Sequence, residues 1–118
     1  MDEELLAEFY AEAEHLLTES EEALLELEKD HKNKDSFNQL FRAFHSLKGA
    51  AGMFEILNLQ ELMHFLESFV EKIPTFDKVK PTIFDYVLRG VDTAKEMLKG
   101  ENPEFEKIEI EEFFFGIQ

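Results

Sequence analysis

The stretch FNQLFRAFHSLKGAAGMF, residues 37–54, combines an apolar face of helical spacing with two glycines. A glycine inside a helix costs about 1 kcal/mol relative to alanine. At about 100° per residue, Gly49 and Gly52 fall on the same face as His45. The pattern predicts a helix over 36–55 that turns His45 to solvent and buries the opposite face, which consists of Phe37, Leu40, Phe41, Phe44, Leu47, Ala51 and Phe54.

The two glycines lower the surface beside His45, because they carry no side chain there. Another protein can therefore approach the imidazole closely, and Lys48 stands at the edge of this clearing with a positive charge. Breaks in local preference often mark functional sites. The alternative is that Gly49 and Gly52 admit a neighbouring helix.

A third helix follows over 58–73, and His64 and Glu67 both point away from its apolar face. The link between the second and third helices is so short that the two must be antiparallel neighbours. His45 and Glu67 lie at similar distances from that turn along the sequence. Glu67 is therefore expected to reach His45.

The remaining helices complete a bundle. Asp35 is a candidate N-cap for the second helix, Asn58 with Glu61 resembles a capping box for the third, and Gly100 is a candidate C-terminal cap for the fourth. Short connections favour an all-α, antiparallel up-down four-helix bundle. Its predicted helices are 2–29, 36–55, 58–73 and 81–99.

Residues 101–118 differ from the predicted bundle domain, 1–100. They form an acidic, phenylalanine-rich C-terminal extension with six acidic residues and one lysine. Its partial alternation of apolar and polar residues allows a strand-like arm packed on the bundle, or the start of a linker to another domain. Three adjacent phenylalanines would be unfavourable in water, which favours docking on the bundle or on a partner.

Composition narrows the possible partners and location. The formal net charge of −15 disfavours nucleic acid and anionic membrane surfaces, and a basic protein surface is the more natural complement. The chain contains no cysteine, which excludes disulfides and thiol chemistry. The acidic amino terminus lacks a signal-peptide pattern, and no apolar run is long enough to span a membrane. A cytoplasmic location is expected.

These residue types fit a phosphorylated histidine. A carboxylate such as Glu67 that accepts a hydrogen bond from Nδ1–H of His45 leaves Nε2 as an exposed nucleophile. The same carboxylate offsets the positive charge that develops on the ring when Nε2 is phosphorylated. Lys48 can neutralise phosphoryl oxygens.

The motif HSLKGAAGMF and the following LQELMHFLESFVEK resemble histidine-containing phosphotransfer (HPt) domains, most closely the amino-terminal phosphotransfer domains of CheA-type chemotaxis kinases. The resemblance covers residues 1–99. The chain departs from the usual CheA pattern, HSIKGGAGTFG, at Ala50, Met53 and Glu55, and none of these is a catalytic position.

The resemblance implies that His45 is the phosphoacceptor, that Glu67 bonds its Nδ1, that Lys48 and His64 tune the site, and that Gly49 opens it. It also implies a relay. A histidine kinase domain that binds ATP and Mg²⁺ phosphorylates the histidine, which passes the group to an aspartate on a CheY-like receiver. This chain has no glycine-rich nucleotide motif, so we expect a carrier that binds no cofactor and is not a kinase by itself.

Two alternatives remain from the residues. One is an interaction bundle without chemistry, in which His45 is a solvated surface histidine. The other is a carboxylate and histidine metal site, because Glu-x-x-His occurs at 12–15 and at 61–64. Those side chains are predicted to face outward, which disfavours a metal. His15 and His31 are interpreted as surface residues.

Overall fold

The computed structural model describes residues 2–114 and confirms the four-helix bundle. Each helix boundary lies within two residues of its predicted position. Single 3₁₀ turns occur at Ile73–Thr75 and Ile110–Phe113, and the described residues contain no β-strand. The helices are α1 (Glu3–Lys29), α2 (Lys34–Met53), α3 (Leu57–Glu71) and α4 (Thr82–Leu98).

The helices form a closed ring in which α1 and α3 each pack against both α2 and α4. The apolar faces meet in one core, with Phe44, Phe84 and Leu17 fully or almost fully buried. In α1 Leu17 is fully buried, whereas the neighbouring Leu16 packs at the margin of the core. Such burial of large apolar side chains stabilises the fold by roughly 1.5–3 kcal/mol for each residue.

Two predicted helix starts are corrected. Asn33, not Asp35, caps α2, because its side-chain oxygen accepts a hydrogen bond from the backbone N–H of Ser36 at 3.1 Å. Asn58 does not cap α3, since the helix begins at Leu57 and the Asn58 side chain accepts from the neighbouring amide of Leu59. In both cases the chain enters the helix earlier than local capping preferences indicated.

The ends of α2 and α4 share one backbone motif with different residues at its key position. Glu55 and Gly100 both have positive φ, 58° and 88° respectively, and each follows the last turn of its helix. After α2, the amides of Glu55 and Ile56 bond back to the carbonyls of Gly52 and Ala51, which is the Schellman arrangement. Because Glu55 is left-handed, α2 ends two residues before the predicted position.

At the other end of the bundle, His31 joins the loop between α1 and α2 to the loop between α3 and α4. Its Nε2 lies 2.7 Å from the carbonyl oxygen of Phe76, and Lys32 lies 3.5 Å from Asp77 beside it. His31, which the sequence predicted to be a surface residue, is half-buried and also joins two loops that are distant in sequence.

The described part of the extension, residues 101–114, packs on the bundle. Ile110 and Phe113 are 1% and 3% exposed and belong to the same core as the helices. Phe114 stacks on Phe76 with ring centroids 4.7 Å apart. Of the alternatives left open by the sequence, docking on the bundle is the one observed, whereas 115–118 lie outside the described residues.

We expect Glu55→Gly to raise the free energy of unfolding by about 0.5–1 kcal/mol, because glycine adopts positive φ without the Cβ clash. Part of the gain is offset by the larger conformational entropy of an unfolded chain containing glycine. Urea denaturation measures the effect. The variant Gly100→Ala has open space around its Cβ and adds no charge at the end of α4, so it should lose stability through backbone strain alone. A change in the free energy of unfolding with the same sign for both variants would contradict the backbone explanation.

Candidate functional site

The site is built around the carboxylate of Glu67 on α3. Its Oε2 lies 2.5 Å from Nδ1 of His45, and its Oε1 lies 2.7 Å from Nζ of Lys48, both on α2. His45 and Lys48 are one helical turn apart, so one carboxylate facing that stretch can contact both. The antiparallel pairing of α2 and α3 brings these three residues to the same level of the bundle.

Exposure separates the two sides of the imidazole. The Glu67 side chain is only 9% exposed, whereas the His45 side chain is 64% exposed. A carboxylate can only accept, so the contact assigns the ring proton to Nδ1 and leaves the lone pair on Nε2. Within the described residues Nε2 has no hydrogen-bond partner. The arrangement presents a nucleophilic nitrogen to solvent.

The surroundings keep Glu67 ionised. Burial alone would raise the pKa of its carboxyl group. The hydrogen bonds from Lys48 and His45, together with the charges they bring, outweigh burial and leave the pKa of Glu67 below its ordinary value. The site therefore holds a negative charge behind His45 at neutral pH.

Lys48 forms an ion pair with Glu67. Its side chain is 23% exposed, and its ammonium group points to the carboxylate. The sequence suggested an ammonium directed to phosphoryl oxygens at the rim of the clearing. In the structure the ammonium donates to the second carboxylate oxygen of Glu67, which restrains the rotation of that carboxylate. The action of Lys48 on phosphoryl oxygens stays a prediction.

His64 stands apart from this contact. It is exposed, and along residues 2–114 it makes no hydrogen bond. With Lys48, Leu57, Gln60 and Glu61 it lines a shallow depression between α2 and α3. The structure thus places His64 beside the site but does not join it to His45.

The two glycines differ in their surroundings. A Cβ on Gly49 would have no neighbour within 4 Å, so the surface beside His45 is open there. A Cβ on Gly52 would lie 2.5 Å from Nε2 of Gln60, whose side chain crosses over it from α3. The expectation that both glycines leave bare surface is wrong for Gly52, because the Gln60 side chain partly covers it.

Phe41 is a neighbour of the histidine that the sequence assigned only to the core. Its ring lies nearly parallel to the His45 imidazole, with centroids 6.1 Å apart and planes 9° apart. It is half-buried and does not pack on the core that the buried side chains form, so its prediction as part of the buried face is wrong. Its position four residues before His45 was the available signal, since residues so spaced share a helix face.

The metal alternative gains no support from the geometry. Glu12, His15, Glu61 and His64 are all exposed, and His15 pairs with Glu19 at 3.0 Å. Among the residues that the structure describes, no three potential metal ligands come together.

Comparison with known proteins identifies the family. A family model described as "Hpt domain" matches residues 4–83. The chemotaxis protein CheA of Borreliella burgdorferi is 34% identical over 98 residues, covering 82% of this chain and 11% of that protein. CheA of Treponema pallidum is 34% identical over 99 residues, covering 83% and 12%. The solution structure of the histidine phosphotransfer domain of CheA has a TM-score of 0.75 at 33% identity, covering 86% of this chain and 85% of that one.

The chain belongs to the Hpt domain family. Within that family it is a phosphotransfer module similar to those of CheA chemotaxis proteins. The chain spans only 11–12% of the length of these two CheA proteins. No helix in the described part of the chain is long and apolar enough to cross a membrane.

We expect Glu67→Gln to lower the free energy of unfolding by about 1–2 kcal/mol at pH 7, because it weakens two charge-assisted hydrogen bonds. A lowered pKa means that this stability is present above the ordinary glutamate range, near pH ~4.3, and is lost as the pH falls through the pKa of the folded protein. The difference between parent and variant should therefore shrink in acid. Urea denaturation from pH 7 to pH 3 measures it.

Glu71→Gln is the matched control, because Glu71 is an exposed glutamate on the same helix without an ion pair among the described residues. It should change stability little at any of these pH values. A Glu67→Gln deficit that stays constant as the pH falls would contradict the assignment of an ionised, stabilising carboxylate.

Proposed function

We propose that this domain is a phosphoryl carrier in chemotaxis-type two-component signalling, with His45 as the phosphoacceptor. The observation that carries the proposal is the contact of Nδ1 with the buried carboxylate of Glu67 while the rest of the imidazole remains exposed. Family membership and the similarity to CheA proteins support it. The donor is an ATP-dependent histidine kinase domain, and the acceptor is an aspartate on a CheY-like receiver.

Phosphorylation uses the lone pair of Nε2. This nitrogen attacks the γ-phosphorus of ATP, a P–N bond forms, and the bond from phosphorus to the ADP oxygen breaks. The ring then carries the phosphoryl group on Nε2 and a proton on Nδ1, so it is formally cationic. Glu67 lies against Nδ1 and offsets that charge, which lowers the barrier electrostatically.

In the second step the phosphoryl group leaves Nε2 and is transferred to the receiver domain. A carboxylate oxygen of the receiver aspartate attacks phosphorus, the P–N bond breaks, and the electron pair returns to Nε2. The Nδ1 proton remains in its hydrogen bond to Glu67 throughout, so the carrier returns to its starting tautomer. ATP and Mg²⁺ are assigned to the partner kinase domain, since this chain has no glycine-rich nucleotide motif.

Access to Nε2 depends on the open surface at Gly49. Both partners must bring an active site onto the same imidazole, and the space above Gly49 is unobstructed. Lys48 acts indirectly in this proposal by holding Glu67, and His64 lines the neighbouring depression where a partner side chain can reach it. The proposed setting is the cytoplasm.

His45→Gln should abolish labelling when the protein is mixed with radiolabelled ATP and a CheA kinase domain that lacks its own phosphotransfer domain. His15→Gln is the matched control, because His15 is an exposed helical histidine paired only with a carboxylate on its own helix. It should label like the parent. Labelling of His45→Gln at the parental rate would exclude His45 as the phosphoacceptor. If the parent protein binds the kinase domain but takes up no label, the interaction-bundle alternative is favoured.

Glu67→Gln should slow labelling about 10-fold or more without unfolding the bundle, because losing one electrostatic stabiliser of a transition state costs about 1.4 kcal/mol or more. The initial rate of label uptake at saturating kinase domain measures this effect. An unchanged rate would show that Glu67 does not assist His45.

Gly49→Leu should slow transfer to and from His45 at least 10-fold while leaving the bundle folded, because the side chain occupies space that a partner needs. Gly49→Ala is the same-site control, since both substitutions improve helix propensity but only leucine protrudes far from the helix. Label uptake and thermal unfolding are measured together. Equal rates for the two variants would exclude an approach over Gly49.

A further inference from the structure

Helix α3 is held on two opposite sides. One side presents Glu67 to α2. The other side lies under residues 101–114, which we call the C-terminal segment, and the contacts involve residues 102–113. At about 100° per residue, the α3 positions that touch the segment fall within roughly 40° of Phe65, whereas Glu67 lies about 160° away. The contacted positions are Asn58, Glu61, Phe65 and Phe69, together with Lys72, the residue that directly follows α3.

The contacts run the length of α3. At its start, the Asn58 amide donates to the side chain of Asn102 at 3.1 Å. In the middle, Lys107 pairs with Glu61 at 3.0 Å, and its ammonium also lies 5.9 Å from the ring centroid of Phe65.

Beyond that point the contacts are aromatic and ionic. Phe105 meets Phe65 edge to face, and Phe113 meets Phe69 in the same way. At the end of the helix, Lys72 lies 3.7 Å from Glu111.

Tyr86 on α4 anchors the segment. Its hydroxyl donates to the carbonyl of Glu106 at 2.6 Å and accepts from the amide of Ile108 at 2.8 Å. Its ring packs against Phe105 and Phe113 with centroids 5.1 and 5.4 Å away. Tyr86 is 1% exposed, so these two hydrogen bonds satisfy an otherwise buried hydroxyl.

The rotation of α3 about its axis decides whether Glu67 reaches the histidine. Side-chain tips lie about 5–6 Å from a helix axis, so a turn of 20° moves a tip by roughly 2 Å. A hydrogen bond tolerates only a few tenths of an ångström. Contacts on the far side of α3 oppose such a rotation.

We propose that the C-terminal segment is a positioning element of the phosphotransfer site, which holds α3 in the rotation that keeps Glu67 on His45. The inference rests on the proposed function, with His45 as phosphoacceptor. It assigns Tyr86 as a positioning residue, although it lies on a different helix from both groups. The family model ends at residue 83, so neither the segment nor Tyr86 lies in the matched region.

Tyr86→Phe tests the inference in the full chain, because it removes only the hydroxyl and keeps the ring in its cluster. Amide exchange of Ile108 should accelerate about 5-fold or more, as loss of one hydrogen bond predicts. The share of His45 in the Nδ1–H tautomer, read from the nitrogen chemical shifts of the ring, should fall. The rate of label uptake should fall about 2- to 5-fold, a typical size for coupling between connected groups.

Ser20→Ala is the matched control. It removes a fully buried hydroxyl that bonds within α1, far from the segment along the chain. It should leave the His45 tautomer and label uptake at parental values even where thermal stability falls. This comparison separates positioning from a general loss of stability.

Two results would overturn the inference. One is faster Ile108 exchange with an unchanged His45 tautomer, which would make the segment a purely structural addition. The other is unchanged Ile108 exchange, which would show that Tyr86 does not hold the segment. Both readouts need no phosphoryl transfer, so they remain decisive even if the parent protein takes up no label and the proposed function fails.

Discussion

A carboxylate that is almost fully buried must be hydrogen-bonded and paired with charge, and Glu67 meets both conditions through His45 and Lys48. The same two contacts that make its burial tolerable also fix the tautomer of the imidazole. Stability and chemistry therefore depend on one group. Because His45 contributes only Nδ1 to this contact, the opposite ring nitrogen remains available at the surface.

The contact between Glu67 and His45 also constrains how the helices of the bundle are arranged. Glu67 and His45 lie on different helices, so their contact depends on the relative level and rotation of α2 and α3. The level is set by the short turn at Glu55, whose positive φ reverses the chain. The rotation is restrained by the packing of α3 in the core and, in our proposal, by the C-terminal segment on the side away from Glu67.

Several features were accessible from the sequence because they depend on periodicity. The spacing of phenylalanine and leucine in α2 distinguishes the buried face from the face that carries His45, and the length of the link to α3 requires antiparallel packing. Errors arose where a distant residue decides the outcome. Gln60 covers Gly52 from the next helix, and His31 meets the Phe76 carbonyl across two loops. The cap of α2 is a local error, because Asn33 lies only two residues before Asp35.

The sequence by itself determined the four-helix class, the outward face of His45 and the candidate partnership with Glu67, since helical spacing and loop length are local properties of the chain. Only the tertiary structure decided that Lys48 donates a hydrogen bond to Glu67, that Gly49 leaves open surface whereas Gly52 does not, and that residues 101–114 return to pack on α3 and α4. These outcomes depend on side chains that meet across the bundle, and no pattern along one helix specifies which atoms will face one another.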